Sequence, residues 1–276
     1  MVTAQLGPND EVIVVDNGSN DGTVRVARSF NARVVAESKR GRGQARNAGF
    51  QHASGNFVVF LDADCLAKPN WLQNLLRPFQ DPLVGCVGGE IINAYVDTPL
   101  ARYLANKGHL SQMVTFTHPF MPYAQTGNVA FRRDVIRLIG VFDDQLEEGE
   151  DADICWRMQL ESDYRIAFAP DACVEHRHDL SPSSFLRQKR RHAYGAVLLY
   201  KKYRSRWKME EMSFKSTYWE YRSIVRRSIR FGAQCLMAKM GFLSDPADDQ
   251  RYQLLIEIGE KWGRIEGTIR HRVWFV

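Results

Sequence analysis

The chain has 276 residues, 45% of them hydrophobic, and a formal net charge of +5, enough for one large α/β body with an appendage. No stretch approaches the roughly 18 apolar residues of a membrane span, and residues 1–10 lack a basic-then-apolar leader pattern, which speaks against a secreted or membrane-spanning product. The five cysteines (Cys65, Cys86, Cys155, Cys173 and Cys235) are scattered and form no Cys-x-x-Cys pair, so neither a disulfide framework nor a zinc site is expected, and the thiols read as reduced and cytosolic.

In chain order, residues 11–16 (EVIVVD) form an apolar run ending in Asp16-Asn17, followed by a turn dense in Asn, Gly, Ser and Asp and a short helix to Phe30. A strand over 33–36 and the basic glycine loop 39–43 lead into a helix over 44–53. Phe57 to Leu61 is the strongest strand signal, large apolar residues without interruption, as in a strand buried on both faces. It stops at Asp62-Ala63-Asp64. Side chains at i and i+2 of an extended backbone point the same way, so the two carboxylates can converge beyond the carboxyl end of the sheet, where open α/β sheets bind ligands. Two acids so close repel unless a cation or donors neutralise them, and a hard divalent metal suits the pair; a bare acidic turn is the plain alternative.

A helix follows from Pro69 to Phe79, a strand over 84–92, and a helical stretch over 99–114. After an irregular segment, Gly127-Asn128 opens a short strand to Phe131, and a helix over 134–138 ends at Gly140. The most acidic stretch, 142–153, runs into an amphipathic helix over 152–160, and strands over 164–168 and 172–175 end at His176-Arg177-His178, where His178 reads as solvent-facing. From Ser181 the pattern is helical throughout: 181–203, 217–240 and 248–270. The expected division is a body over 1–205 and a helical extension over 206–276. Charge divides unevenly, about −6 over residues 1–176, about +11 over 177–230 and about zero thereafter. The basic, aromatic-laced segment suits an anionic lipid surface, a diphosphate ligand or a nucleic acid, or is simply a solvated helix face.

The acidic and polar clusters Asp16-Asn17, Asp62/Asp64, Glu150-Asp151 and His176/His178 all fall at strand ends or helix starts. The ordered series VVDNGSNDGT, ARNAG, FLDADC, TGNVAFRRD, EGEDADICWRM, VEHRH and RQKRRHAYG, covering roughly residues 5–200, resembles a family 2 glycosyltransferase. The resemblance implies a GT-A, Rossmann-like α/β fold with a mostly parallel sheet, helices on both faces and a helical C-terminal extension. It implies inverting transfer of a sugar from a UDP- or GDP-linked donor, with Mg²⁺ or Mn²⁺, to an acceptor glycan, lipid or small molecule, as in cell-envelope or polysaccharide synthesis. Carried over position by position, Asp16 and Asn17 contact the nucleoside and Arg46 the base or phosphates. Asp62, Ala63 and Asp64 form the Asp-x-Asp turn, with Asp64 the direct metal ligand, Asp62 nearer the ribose or a metal-bound water, and His176 a further metal or diphosphate contact. Asp151 is the catalytic base, kept ionised by its place at a helix start, and Gly127, Asn128, Glu150, Gln188 and Arg191 border the acceptor or diphosphate.

Two departures matter. His192 stands where processive synthases of this type carry Trp after Gln-x-x-Arg, which favours transfer of a single sugar. The first strand and most of the first helix of the family pattern have no counterpart before Glu11, so a truncated or mis-started reading frame, an exposed sheet edge and poor solubility are expected. The alternative function is a truncated, non-catalytic protein that binds a nucleotide sugar or a partner. A phosphohydrolase with Asp62 as nucleophile is a weaker rival, and nucleic-acid binding by residues 182–230 is not expected, since no nucleic-acid motif accompanies the charge. The expected location is the cytoplasm, peripheral at the inner face of the membrane, with the apolar and basic helix over 228–243 as the contact.

Overall fold

A computed structural model describes residues 2–94, 98–177, 181–206, 214–240 and 248–275, with side chains from Thr217 onward in the fourth stretch. The elements run β1 (Ile13–Asp16), α1 (Thr23–Ser29), β2 (Arg33–Ala36), α2 (Arg42–His52), β3 (Phe57–Leu61), β4 (Cys65–Ala67) and α3 (Trp71–Leu76). They continue through β5 (Val84–Asn93), α4 (Pro99–Asn106), α5 (Gln112–Phe116), β6 (Asn128–Arg132), α6 (Arg133–Ile139), α7 (Glu150–Glu161) and β7 (Arg165–His176). Three long helices close the chain, α8 (Pro182–Tyr203), α9 (Phe214–Lys239) and α10 (Asp248–His271). They form two units, one of residues 1–94 and 108–177, the other of 95–107 and 178–276.

The first unit is built on a five-stranded sheet, order β3-β6-β5-β7-β4, and a separate parallel pair, β1-β2. Alternation along β3 serves both faces of the larger sheet. Val58 and Phe60 join a core with Phe131 of β6, Val135 and Ile136 of α6 and Ile154 and Met158 of α7. Phe57, Val59 and Leu61 pack on the other side with Trp71 and Leu75 of α3 and Val87 and Val174 of the central strands. The expected α/β layering, helices on both faces, is therefore present. The expected mostly parallel sheet is corrected in one respect. β3, β5 and β7 share a direction, but β6 lies antiparallel between β3 and β5, and β4 antiparallel on β7. A strand buried on both faces is an apolar run whichever way it points, so the pattern of Val129 to Phe131 did not carry its direction.

Other differences have local causes. The expected helix over 99–114 is two helices, because Gly108 adopts φ 57° between them. The two strands expected over 164–168 and 172–175 are one strand whose register against β5 shifts between Gly89 and Ile91, a bulge that accommodates Pro170. β1 and β3 each have one hydrogen-bonded neighbour, so each leaves one ladder edge unpaired among the described residues. The residues before β1 are seated on the body. Val2 packs into the α3 side of the core, and Gln5 donates to the Lys68 carbonyl (2.8 Å) and accepts from the Leu72 amide (3.2 Å).

Within the second unit α8 packs along α10. Gly259, Gly263 and Gly267 recur every four residues on α10 against Leu186, Arg190 and Val197 of α8; a Cβ on Gly263 would sit 2.0 Å from the Arg190 carbonyl oxygen. Only bare backbone allows the two helices this close. In the same unit α4 contributes Leu100, Tyr103 and Leu104 to a core with Phe185 and Tyr252.

Candidate active site

The carboxyl end of β3 delivers Asp62 and Asp64 into a tight turn, in which the Cys65 amide donates to the Asp62 carbonyl (3.0 Å) and β4 begins. β4 pairs with the last residues of β7, Cys65 opposite His176, and the Arg177 amide donates to the Asp64 carbonyl (3.0 Å). This pairing carries the imidazole to the carboxylates. His176 Nε2 lies 3.2 Å from Asp64 Oδ1 and 3.9 Å from Asp62 Oδ2, with the His176 side chain buried and both carboxylates open to solvent. Asp64, Cys65 and His176 offer donor atoms within 4.8 Å of one another. Burial, helped by Asp62 and Asp64, pushes the Cys65 thiol up to about 12. A mixed carboxylate and imidazole set open to solvent fits Mn²⁺ or Mg²⁺, which accept oxygen ligands and keep several waters.

A second pair of acids sits across α2. Gly149, at φ 87°, turns the chain into α7, whose first residues are Glu150 and Asp151. Arg46 of α2 joins the two carboxylate groups, with its guanidinium 2.6 Å from Glu150 Oε1 and 3.6 Å from Asp62 Oδ1. Arg42, one turn earlier, pairs with Glu148 (2.7 Å) and reaches Glu150 (3.5 Å). Sequence reasoning missed Arg42, although it stands in the basic glycine loop and shares a helix face with Arg46.

Asp151 is half-buried, and its amide-side contact is with its own neighbour, the Ala152 N–H donating at 2.8 Å. Burial and the adjacent Glu150 raise its carboxyl to about 7, against the opposing pull of Arg46, the Ala152 amide and Arg42. The expectation that the helix start keeps Asp151 fully ionised is therefore corrected: desolvation and a like charge outweigh the dipole at this position. The same burial, with Asp151 nearby, raises the Tyr123 phenol well above its ordinary value.

The remaining expected site residues divide. Gly127 abuts the turn: a Cβ there would lie 3.3 Å from Asp62 Oδ2. Asn128 does not face the site. Its side chain is fully buried, accepting from Trp71 Nε1 (2.8 Å) and donating to the carbonyls of Glu90 (2.9 Å) and Ala172 (2.8 Å), so it stitches strands together. Asp16 closes a turn by accepting from the Ser19 amide (3.0 Å). Asn17 donates to the carbonyls of Glu37 (2.7 Å) and Lys39 (2.8 Å) and accepts from Gly41 (3.0 Å), fixing the loop that opens α2. Ala63 is exposed at the tip of the acidic turn. Gln188 and Arg191 lie on α8 of the helical unit, Gln188 with a buried amide oxygen and Arg191 exposed. His178 lies outside the described residues.

Residues 2–140 match the family described as glycosyl transferase family 2. The chain is 34% identical over 177 residues to a pre-mycofactocin glycosyltransferase of Mycobacterium tuberculosis, an alignment covering 60% of this chain and 37% of that protein. It is 31% identical over 181 residues to the glycosyltransferase AglE of Haloferax volcanii, covering 62% of this chain and 58% of the relative. The match thus spans less than two thirds of the length of either relative. Among solved structures, a Pyrobaculum calidifontis mannosyltransferase in complex with GDP-mannose and Mn²⁺ superposes with a TM-score of 0.59 at 19% identity, over 93% of this chain and 77% of that one.

Proposed function

The chain belongs to glycosyl transferase family 2, and from that premise we propose that it transfers a single sugar from a UDP- or GDP-linked donor to an acceptor hydroxyl, with inversion. The acceptor class is a glycan, a lipid or a small molecule, and the enzyme works in the cytoplasm, peripheral at the inner face of the membrane. The observation that carries the proposal is the linked pair of carboxylate sites, Asp62/Asp64 with His176 on one side of Arg46 and Glu150-Asp151 on the other.

Asp64, His176 and Asp62 would hold Mg²⁺ or Mn²⁺, which would supply positive charge to offset the negative charge developing on a diphosphate leaving group. The same ion type and a GDP-sugar accompany the similar mannosyltransferase of Pyrobaculum calidifontis. Arg46 keeps Asp62 in place and adds positive charge where the diphosphate would lie. Acids are common at helix starts for purely electrostatic reasons. Asp151, raised to about 7, is in addition matched to taking a proton from an acceptor hydroxyl near neutral pH, a task typically worth about 10² to 10⁴ in rate. A Cβ at Gly127 would press on Asp62 and Ile91, so glycine lets the Asp62 carboxylate keep its place.

Titration calorimetry with UDP and GDP in the presence of Mn²⁺ tests the donor side. Binding that requires the metal and disappears in Asp64→Ala is expected; binding indifferent to metal and to Asp64→Ala would remove the site from these residues. Binding without any turnover would leave the non-catalytic alternative.

A further inference from the structure

Helix α9 carries two apolar stripes where a surface helix normally carries one. Its inner stripe, Ile224 and Thr217 buried with Phe231 and Cys235 half-buried, faces its own bundle, and Arg227 on that side pairs with Glu257 of α10 (2.6 Å). At about 100° per residue, Tyr218, Val225, Leu236 and Met240 all fall within about 40° of Ile229 on the opposite side. These side chains are exposed, Ile229 68%, Leu236 59% and Val225 56%, with Trp219 and Met237 exposed beside them. Arg226 and Arg230 border the stripe, and Arg222 lies within it, stacked over the Trp219 ring at 4.8 Å. Residues 221–240 contain Arg222, Arg226, Arg227, Arg230 and Lys239 and no acidic residue.

We infer that this outward face of α9 docks on an anionic phospholipid bilayer, the helix lying in the plane of the interface with Val225, Ile229, Leu236 and Met240 among the acyl chains and Arg226 and Arg230 reaching the headgroup phosphates. An apolar stripe bordered by cations is the arrangement of helices that lie on membranes. No helix among the described residues is long and apolar enough to cross one, so the contact is peripheral. Charge decides between occupants: a second copy of this face would set cations against cations, whereas a nucleic acid would use the arginines and leave the exposed aliphatic side chains without a partner. The inference deepens the peripheral placement in the proposed function; lipid binding needs no donor sugar, so its failure is distinguishable from failure of the transferase reading.

Sedimentation of the full chain with vesicles of phosphatidylcholine alone, or mixed with phosphatidylglycerol, tests it. Pelleting with the mixed vesicles only, weakened by added salt, is expected. Ile229→Asp should lower the partition coefficient at least about tenfold, and Arg226→Glu with Arg230→Glu should do the same, both variants keeping the parent melting temperature because the positions are exposed. Failure of the parent to pellet with mixed vesicles, or equal pelleting of either variant, would overturn the inference. So would a concentration-dependent dimer lost in Ile229→Asp, or oligonucleotide binding lost in the double Arg variant and kept in Ile229→Asp.

Discussion

Arg46 is the residue whose removal should be felt twice, once in stability and once in pH dependence. Its side chain is 12% exposed and that of Glu150 4%, so Arg46→Gln leaves a carboxylate in a nearly dry site. Breaking such a pair costs about 3–5 kcal/mol, and the remaining Arg42, 3.5 Å from the same oxygen but half exposed and therefore screened, lowers the expectation to about 2–3 kcal/mol. Glu150→Gln leaves Arg46 with Asp62 alone, 3.6 Å away. Because both variants break one contact, the double variant should cost less than the sum, by about 1–3 kcal/mol. Asp151 supplies a sign test. As the base it must be ionised, so kcat/KM should rise with pH through a value of about 7 in the parent protein. Arg46 opposes the raised pKa and Glu150 contributes to it, so Arg46→Gln should move the rise to higher pH and Glu150→Gln to lower pH. Urea unfolding gives the stabilities, and initial rates of nucleotide release across pH give the limbs. Stability of Arg46→Gln within about 0.5 kcal/mol of the parent, together with limbs that do not separate, would refute the reasoning.

Gly127→Ala places a methyl 3.3 Å from Asp62 Oδ2 and 3.2 Å from Ile91 Cδ1, so Asp62 must shift; Mn²⁺-dependent nucleotide binding should weaken about tenfold with little loss of stability, read by titration calorimetry. Gly263→Leu forces α8 and α10 apart at their closest approach and should destabilise the helical unit by about 3 kcal/mol or more, seen as an earlier melt in far-UV circular dichroism, whereas Gly232→Ala on α9, where nothing lies within 4 Å, should be neutral or stabilising.

What the chain discloses without a structure follows the range of the interactions. The β3 run and the acids at its end were legible because burial on both faces and a polar strand end are written in consecutive residues. The same holds for the helices around Asp134 and Ala152 and for the long C-terminal ones. The orientation of β6 was not legible, since Val129 to Phe131 are apolar in either direction. β4 was missed because Cys65-Leu66-Ala67 is too short to announce itself and exists through its pairing with β7. Arg46 was placed at the site by resemblance, but its partner Glu150 is 104 residues away and its role as the link between two acid pairs needed the fold. Asp151 shows the limit most clearly. A helix start predicts an ionised carboxylate, and only the three-dimensional neighbourhood reveals that burial and Glu150 prevail. Asn128 resembled a ligand contact in its motif, yet its amide is spent between strands, a role that no local spacing signals. The four-residue spacing of Gly259, Gly263 and Gly267 was visible in the sequence, but its meaning depended on α8 lying against it.

The most direct test of a single transferase site is release of UDP or GDP from a panel of nucleotide sugars, with Mn²⁺ or Mg²⁺ and a range of acceptors, comparing the parent with Asp64→Ala and Asp151→Asn. Metal-dependent release by the parent is expected, with both binding and turnover lost in Asp64→Ala, and turnover lost but nucleotide binding retained in Asp151→Asn. Turnover in Asp151→Asn equal to that of the parent, or release that persists without metal in Asp64→Ala, would contradict it.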